Sequence, residues 1–244
     1  IPTFVGYDHV VGQATGAVEE RLAGGALGAV ETMDVEFREH WGGIFAAHPW
    51  LAGAADSYLG HWRQGGGAAG EHSHAINLWQ HLAHTLGAGR VVEVGAMAHY
   101  VSDGEVDYDK ICALNLRTES GLAGRVVQDV VTSPSRKWGR VQGREGYVEW
   151  ILGHQPGCDA VRWQSGDGQP REQLIEKTRP DDFKAELEHL HEVIEGAGVA
   201  SPISLERGLD TMLVIAAAHR SASENRVVRI DYGRGYGPSA LSTD

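Results

Sequence analysis

Between residues 90 and 175 the chain carries a succession of short segments of alternating apolar and polar residues, and this run limits the fold more than any other feature. The segments cover residues 91–100, 110–118, 123–132, 137–142, 147–152 and 159–164, with turns containing Gly and Asp between them. Strands that follow one another at roughly ten- to fifteen-residue intervals, with no helix between, pair as antiparallel neighbours. Two further strands are expected at residues 29–37 and 226–232, and a short strand-like run at 3–7. Helical periodicity marks residues 12–22, 71–86, 181–195 and 204–221. Gly24 to Gly28 ends the first of these, since glycine accepts the left-handed cap.

The pattern is α+β: a large, predominantly antiparallel (mixed) sheet with helices on one face. The opposite face must then be polar or covered, and a second subunit is one cover. On this reading the sheet face carries a homo-dimer or tetramer. Residues 40–70 form a long irregular stretch rich in Gly, Ala, Trp and His, and connections of this length inside a compact domain are usually functional. The tail, residues 233–244, is Gly- and Ser-rich and is expected to fray. No repeat with a period of 20–50 residues is present.

Composition narrows the partners. Of 244 residues, 21 are Lys or Arg and 33 are Asp or Glu, a net charge of -12. Nucleic acid is therefore disfavoured, because phosphate binding needs concentrated positive charge. No apolar run approaches the ~18 residues of a membrane span, so no membrane partner is expected. Two cysteines, Cys112 and Cys158, make no disulfide framework and read as core. No basic, apolar leader opens the chain, which suggests a cytoplasmic protein. The opening residues, Ile1 to Val5, read as the interior of a longer protein.

Several motifs bear on chemistry. Gly65, Gly67 and Gly70 satisfy G-x-G-x-x-G ahead of a helix, with Glu93 downstream, as in a dinucleotide fingerprint. The preceding residues, Leu59 to Gln64, are no buried parallel strand. Glu71 would also compete with pyrophosphate for the helix N-terminus. The glycines read instead as a turn that lets backbone approach a neighbour.

Glu71-His72-Ser73-His74, followed by Asn77, His81 and His84, is the main candidate site. Histidine titrates near neutrality, and an adjacent carboxylate sets its tautomer, so the cluster suits acid–base work. A metal hydrolase using the 71–84 histidines is an alternative, although no H-E-x-x-H pattern appears and His72 and His74 point to different sides of a helix. A solvated helix end is a third. On the expected helix, Leu78, Leu82 and Leu86 face the core, while His74, Asn77, His81 and His84 form a polar stripe. Trp50, Trp62 and Arg63, with His48 and Tyr58, would suit a sugar pocket, because sugar faces stack on aromatic rings. His189 and His191 read as a solvated face, and Ser133 to Lys137 as a turn.

The order of these motifs resembles the glucose–fructose oxidoreductase and inositol dehydrogenase family (Gfo/Idh/MocA). Val5-Gly6-Tyr7-Asp8-His9, a helix, and Gly25-Ala26-Leu27-Gly28 resemble the family's passage from its last Rossmann strand into its second domain. Glu71 to Asn77 resembles its GG-x-x-x-D-x-x-x-H-x-x-D segment. Phe183, Leu187 and Ile194, then Pro202 to Gly208, then Ala216 to Ser221, resemble its closing helices. Glu71 stands where Asp is usual, three residues before the histidine instead of four, and Asn77 also replaces Asp.

The resemblance implies a dihydrodipicolinate-reductase-like C-terminal domain over residues 8–232. Residues 1–7 would be a remnant of the last Rossmann strand, and residues 233–244 a flexible tail. The N-terminal dinucleotide domain and its Glu-Lys-Pro lysine are absent from this sequence. The intact parent would use NAD or NADP to interconvert a hydroxyl and a carbonyl on a sugar, cyclitol or related small molecule. This fragment would bind no cofactor and be inactive alone. His74 and Glu71 would be catalytic, His72, Asn77, Trp62, Arg63 and His9 would line the substrate, and no resident metal is implied. A non-catalytic assembly or ligand-binding domain is the alternative.

Overall fold

The computed structural model describes residues 1–178, 180–196 and 200–243. Its strands are β1 (Val30–Arg38), β2 (Val91–Ser102), β3 (Asp107–Thr118), β4 (Ala123–Asp129), β5 (Arg136–Gly143), β6 (Gly146–Gln155), β7 (Cys158–Ser165), β8 (Arg171–Glu176), β9 (Val228–Ile230) and β10 (Leu241–Ser242). They form one sheet in the order β10-β9-β2-β3-β4-β1-β5-β6-β7-β8. All pairings are antiparallel except β1 with β4. The chain thus builds two antiparallel meanders, and β1, made first, is sewn between them.

β1 alternates cleanly. Met33, Val35 and Phe37 are buried on one face, and Asp34 and Glu36 lie on the other. The buried face meets a helix layer of α1 (Gln13–Ala23), α4 (His74–Thr85) and α6 (Leu205–Glu224). α4 is the central helix, and its Leu78, Trp79, Leu82 and Ala83 are buried. The Trp79 indole donates to Met33 O at 2.9 Å, over Gly124 of β4. A Cβ on Gly124 would lie 1.9 Å from that same carbonyl, so only glycine lets the helix approach the parallel pair this closely.

The open face of the sheet carries charge. Cross-strand pairs run across it: Arg125 with Asp34 at 3.1 Å, Arg117 with Glu93 at 3.3 Å, Arg140 with Glu149 at 3.0 Å, and Arg162 with Glu172. The face expected to meet a second subunit therefore mixes ion pairs made within the chain with apolar side chains such as Met97, 80% exposed.

Several expectations are corrected. The helix expected at residues 71–86 is two helices, α3 (Gly67–Glu71) and α4, broken at His72 and Ser73. Two tertiary bonds make the break: the Asp109 carboxylate accepts from Ala69 N at 2.8 Å, and the Gln128 amide donates to His72 O at 2.5 Å. The polar stripe of α4 is not solvated. Asn77 is buried against α6, His81 meets Glu19 of α1 at 2.8 Å, and His84 meets Arg207 of α6. The irregular 40–70 stretch contains α2 (Trp41–Ala47) and three short 3-10 turns, packed on a small core of Ile44, Leu59, Ala68 and Val130.

The run at residues 3–7 forms only an isolated bridge, Phe4 with Ser204. Strand β8 was not anticipated, because in this edge strand (Arg171-Glu172-Gln173-Leu174-Ile175-Glu176) only Ile175 is buried and the alternation is hidden among polar residues. The described part of the tail, residues 233–243, is docked. Ala240 O accepts from Asp231 N at 2.8 Å, Tyr236 Oη donates to Asp210 at 3.0 Å, and β10 pairs with β9.

Trp79→Phe removes the indole N–H, strands Met33 O and leaves a void. It is expected to cost about 2–4 kcal/mol. Urea unfolding should show a lower midpoint with an unchanged slope. A loss under about 0.5 kcal/mol would mean that the indole does not pin α4 to β1.

Candidate active site

The site begins with a single 3-10 turn, Asp8–Val10, that follows buried Tyr7. Thr15 Oγ1 donates to His9 O at 2.6 Å and holds the turn against α1. Asp8 is thereby driven inward, to 7% exposure. Its Oδ1 lies 3.4 Å from Nδ1 of His9 and 3.4 Å from Nδ1 of His74. Both ring nitrogens are buried, and neither has a hydrogen-bond partner among the described residues. Aromatic edges orient the rings: Tyr7 packs edge-on to His74 at 5.2 Å, and Phe37 and Trp150 flank His9 at 5.4 and 5.9 Å.

His74 opens α4, where the helix dipole opposes a cation. Burial pushes its imidazole well below the ordinary value, and the nearby His9, Lys137 and His72 push the same way. His74 is therefore neutral in the free chain. Burial likewise pushes His72 down to about 4 and raises the Glu71 carboxyl, an effect that His48 and Lys137 partly offset.

Lys137 is the residue that sequence reading passed over as part of a turn. Its ammonium pairs with Glu39 at 3.1 Å, lies over the Phe37 ring, and is felt by Glu71, His72 and His74. The signal was available in the alternation of β5: Lys137 is in phase with buried Gly139, Val141 and Gly143, which places it on the helix side of the sheet.

Beside the cluster lies a cleft of about 390 Å³ lined by Asp8, His9, Lys137, Lys177, Asp182 and Phe183, among others. Lys177 bridges Asp159 at 2.8 Å and Asp182 at 2.5 Å, and Asp182 stands 3.6 Å from His9 Nδ1. A larger cleft of about 790 Å³ opens on the other side of the 70–73 segment, with Gly70 and Ser73 in its wall. Trp62 and Arg63 belong there. The Trp62 ring stacks on His219 at 4.5 Å, Arg63 lies over Trp62 at 4.2 Å, and both donate to Asp107. Tyr100 Oη and His219 Nδ1 meet at 2.7 Å behind them.

The residues expected to form one site are thus distributed. Glu71, His72, His74 and His9 gather around the Asp8–Lys137 side. Trp62 and Arg63 form the wall of the adjoining cleft. Asn77 reaches neither: it is 2% exposed and donates to Thr211 at 3.3 Å, and Thr211 donates in turn to Gln80 at 3.0 Å, a polar pin between α4 and α6. The 71–84 histidines do not converge on one ion. Among the described residues, His74 alone of that run joins a group compact enough to share one, and its partners are Asp8 and His9.

The glycine run is no phosphate cradle. Cβ atoms on Gly66, Gly67 and Gly70 would lie within about 2 Å of Tyr58 O, Asp109 Oδ1 and Gly65 O respectively. The helix N-terminus that pyrophosphate would need is already capped by Asp109. These residues do not fit a dinucleotide, but the carboxylate at the helix N-terminus is Asp109 and not Glu71, which closes α3 at its other end.

The chain matches the GFO/IDH/MocA C-terminal domain family over residues 16–149. It belongs to that family, as an oxidoreductase-type C-terminal domain. Similar solved structures include an aldose-aldose oxidoreductase from Caulobacter crescentus complexed with glycerol, with 24% identity, 94% of this chain and 64% of that one covered, and a TM-score of 0.73. A levoglucosan dehydrogenase in complex with NADH and levoglucosan is 16% identical, with 94% and 66% coverage and a TM-score of 0.73. An inositol dehydrogenase homolog complexed with NAD+ from Azotobacter vinelandii is 17% identical, with 93% and 64% coverage and a TM-score of 0.67. At these identities the likeness is one of fold, and the chain spans just under two thirds of each of these structures. No curated protein matches the sequence.

His72 makes a pH test possible. Its folded value is about 4 against an ordinary 6.5, so between those limits the unfolded chain takes up a proton that the folded chain refuses. Stability from this group is therefore lost as pH falls from 6.5 toward 4. Asp109, raised by burial to about 7, acts in the opposite direction over part of that range, so the comparison must be with a variant. His72→Gln should lose less stability than wild type on acidification through this window, read as urea midpoints. Parallel losses would show that His72 is not held neutral.

Proposed function

We propose that this chain is the substrate-binding and proton-transfer part of an NAD(P)-dependent oxidoreductase that interconverts a hydroxyl and a carbonyl on a sugar, cyclitol or related small polar molecule. The observation that carries the reading is the buried Asp8–His74 contact, 3.4 Å long, at the edge of a cleft rich in cations and carboxylates. Family membership supports it, as do the complexes of similarly folded proteins with glycerol, levoglucosan and NADH, and NAD+. The dinucleotide supplies the hydride chemistry. This chain's glycine run does not hold it, so the cofactor is assigned to the remainder of the parent.

The remaining work belongs to residues of this chain. With Nδ1 turned to Asp8, His74 leaves Nε2 for a substrate hydroxyl. An uncomplexed site is often loose, and contacts of this kind tighten around substrate. Shortening the Asp8–His74 distance to a true hydrogen bond makes the imidazolium tenable, so His74 takes the hydroxyl proton during oxidation and returns it during reduction. Glu71, whose raised carboxyl holds a proton more readily than an ordinary glutamate, assists. Lys137, Lys177 and Asp182 supply fixed donors and acceptors for further hydroxyls, with His9 and His72 beside them. Polyols suit this wall because each hydroxyl can both donate and accept. Trp62, sandwiched between His219 and Arg63, offers its indole edge to the larger cleft, and Arg63 offers its guanidinium.

A positioned proton-transfer group contributes about 10²–10⁴ in rate. His74→Ala in the intact oxidoreductase should lower kcat by about that factor, with a much smaller change in KM. Steady-state kinetics decide the matter: a kcat within about threefold of wild type would remove His74 from proton transfer.

A further inference from the structure

We propose that Asp8, His9 and His74 form a binding site for a divalent transition-metal ion of the zinc class, and that an ion there shuts the site down. Three observations carry this. The carboxylate oxygen stands 3.4 Å from each imidazole nitrogen. Zinc bonds of about 2.0–2.1 Å at tetrahedral angles separate ligand atoms by about 3.3 Å, so two of the three edges of the ligand triangle are already drawn. All three residues offer ligand atoms within 4.8 Å of one another, so the third edge is the longest of the triangle and the one an ion would draw in.

The second observation is that Nδ1 of His9 and Nδ1 of His74 are both buried and, among the described residues, have no hydrogen-bond partner. A buried polar atom left unpaired costs about 1–3 kcal/mol, and two such atoms, each 3.4 Å from the Asp8 carboxylate and one also 3.6 Å from Asp182, are what an ion would satisfy together. The third is rigidity. Tyr7, Phe37 and Trp150 fix the two rings, and Thr15 fixes the turn that carries Asp8 and His9. Nearby positive charge does not forbid an ion, because Lys137 is paired with Glu39 and Lys177 with Asp159 and Asp182. Three protein ligands leave a fourth position for water, facing the cleft.

The inhibitory consequence rests on the proton-transfer reading above, whereas the binding does not. An ion on Nδ1 of His74 leaves the ring proton on Nε2, the nitrogen that would accept the substrate's proton. Metal occupancy and proton acceptance are then mutually exclusive. The site is an inhibitory one, and of the 71–84 histidines it uses His74 alone.

The test is Co²⁺ and Zn²⁺ titration of this chain. One equivalent of Co²⁺ should bind and give the strong visible absorption of a tetrahedral centre, and Zn²⁺ should displace it. Asp8→Asn and His9→Gln should each weaken binding by at least about tenfold. His81→Gln, which lies outside the site, should not. As a readout free of folding artefacts, histidine-ring nitrogen NMR of the wild-type chain should show Zn²⁺ moving His9 and His74 while His219 stays. No binding at a large excess of metal, or ring shifts confined to other histidines, overturns the proposal. In the intact enzyme Zn²⁺ should inhibit and a chelator should restore activity. Binding to these residues without inhibition would keep the metal site and overturn the role of His74 as base.

Discussion

Strand β1 is the constraint on which the rest of the structure hangs. It pairs in parallel with β4 and antiparallel with β5, and so joins two meanders that would otherwise be separate sheets. Its three inward side chains, Met33, Val35 and Phe37, are 0–1% exposed and form the floor for α4. Trp79 ties that helix to the backbone of β1, and Phe37 stacks on Trp150 at 5.6 Å and 3° to form the plate under His9. The position of His74 at the start of α4 and of His9 above Phe37 is therefore set by one strand. A change that displaces β1 moves both histidines relative to Asp8.

The site's electrostatics follow from that placement. Imidazoles are costly to charge when they are buried, at a helix N-terminus and close to each other. The fold offsets this with a carboxylate just beyond hydrogen-bond distance, which leaves His74 neutral but poised. The same geometry suits either a proton or a metal ion, which is why the two proposals made above rest on one cluster. The glycines at 65–70 serve this arrangement indirectly: they let the 66–70 backbone press against Tyr58, Gly65 and Asp109, and that packing ends α3 and starts α4 at His74.

Much of this was legible along the chain. Alternation placed most strands and showed one buried face in each, because a period of two is a local property of side-chain direction. The α+β class and the antiparallel bias followed from local pattern, and residue type and motif order singled out His74 and Glu71 as candidates. Less legible were features created by contacts distant in sequence. The break between α3 and α4 depends on Asp109 and Gln128, some 40 and 56 residues away from their partners. The docked tail depends on Asp210 and Asp231, which a Gly-rich composition does not foreshadow.

The sequence by itself determined the sheet, the helix layer and the residue types available for chemistry, since these rest on periodicity, charge and spacing. Only the tertiary structure decided which of those residues meet. It sent Asn77 into the α4–α6 interface, Trp62 and Arg63 to the wall of a separate cleft, and Lys137 from a supposed turn to the side of His74. It also made Asp8 a partner of both His9 and His74, a pairing of residues 8 and 74 that no local spacing encodes. The physical reason is that a functional cluster is defined by convergence across elements, and convergence is set by how β1 orders the sheet beneath them.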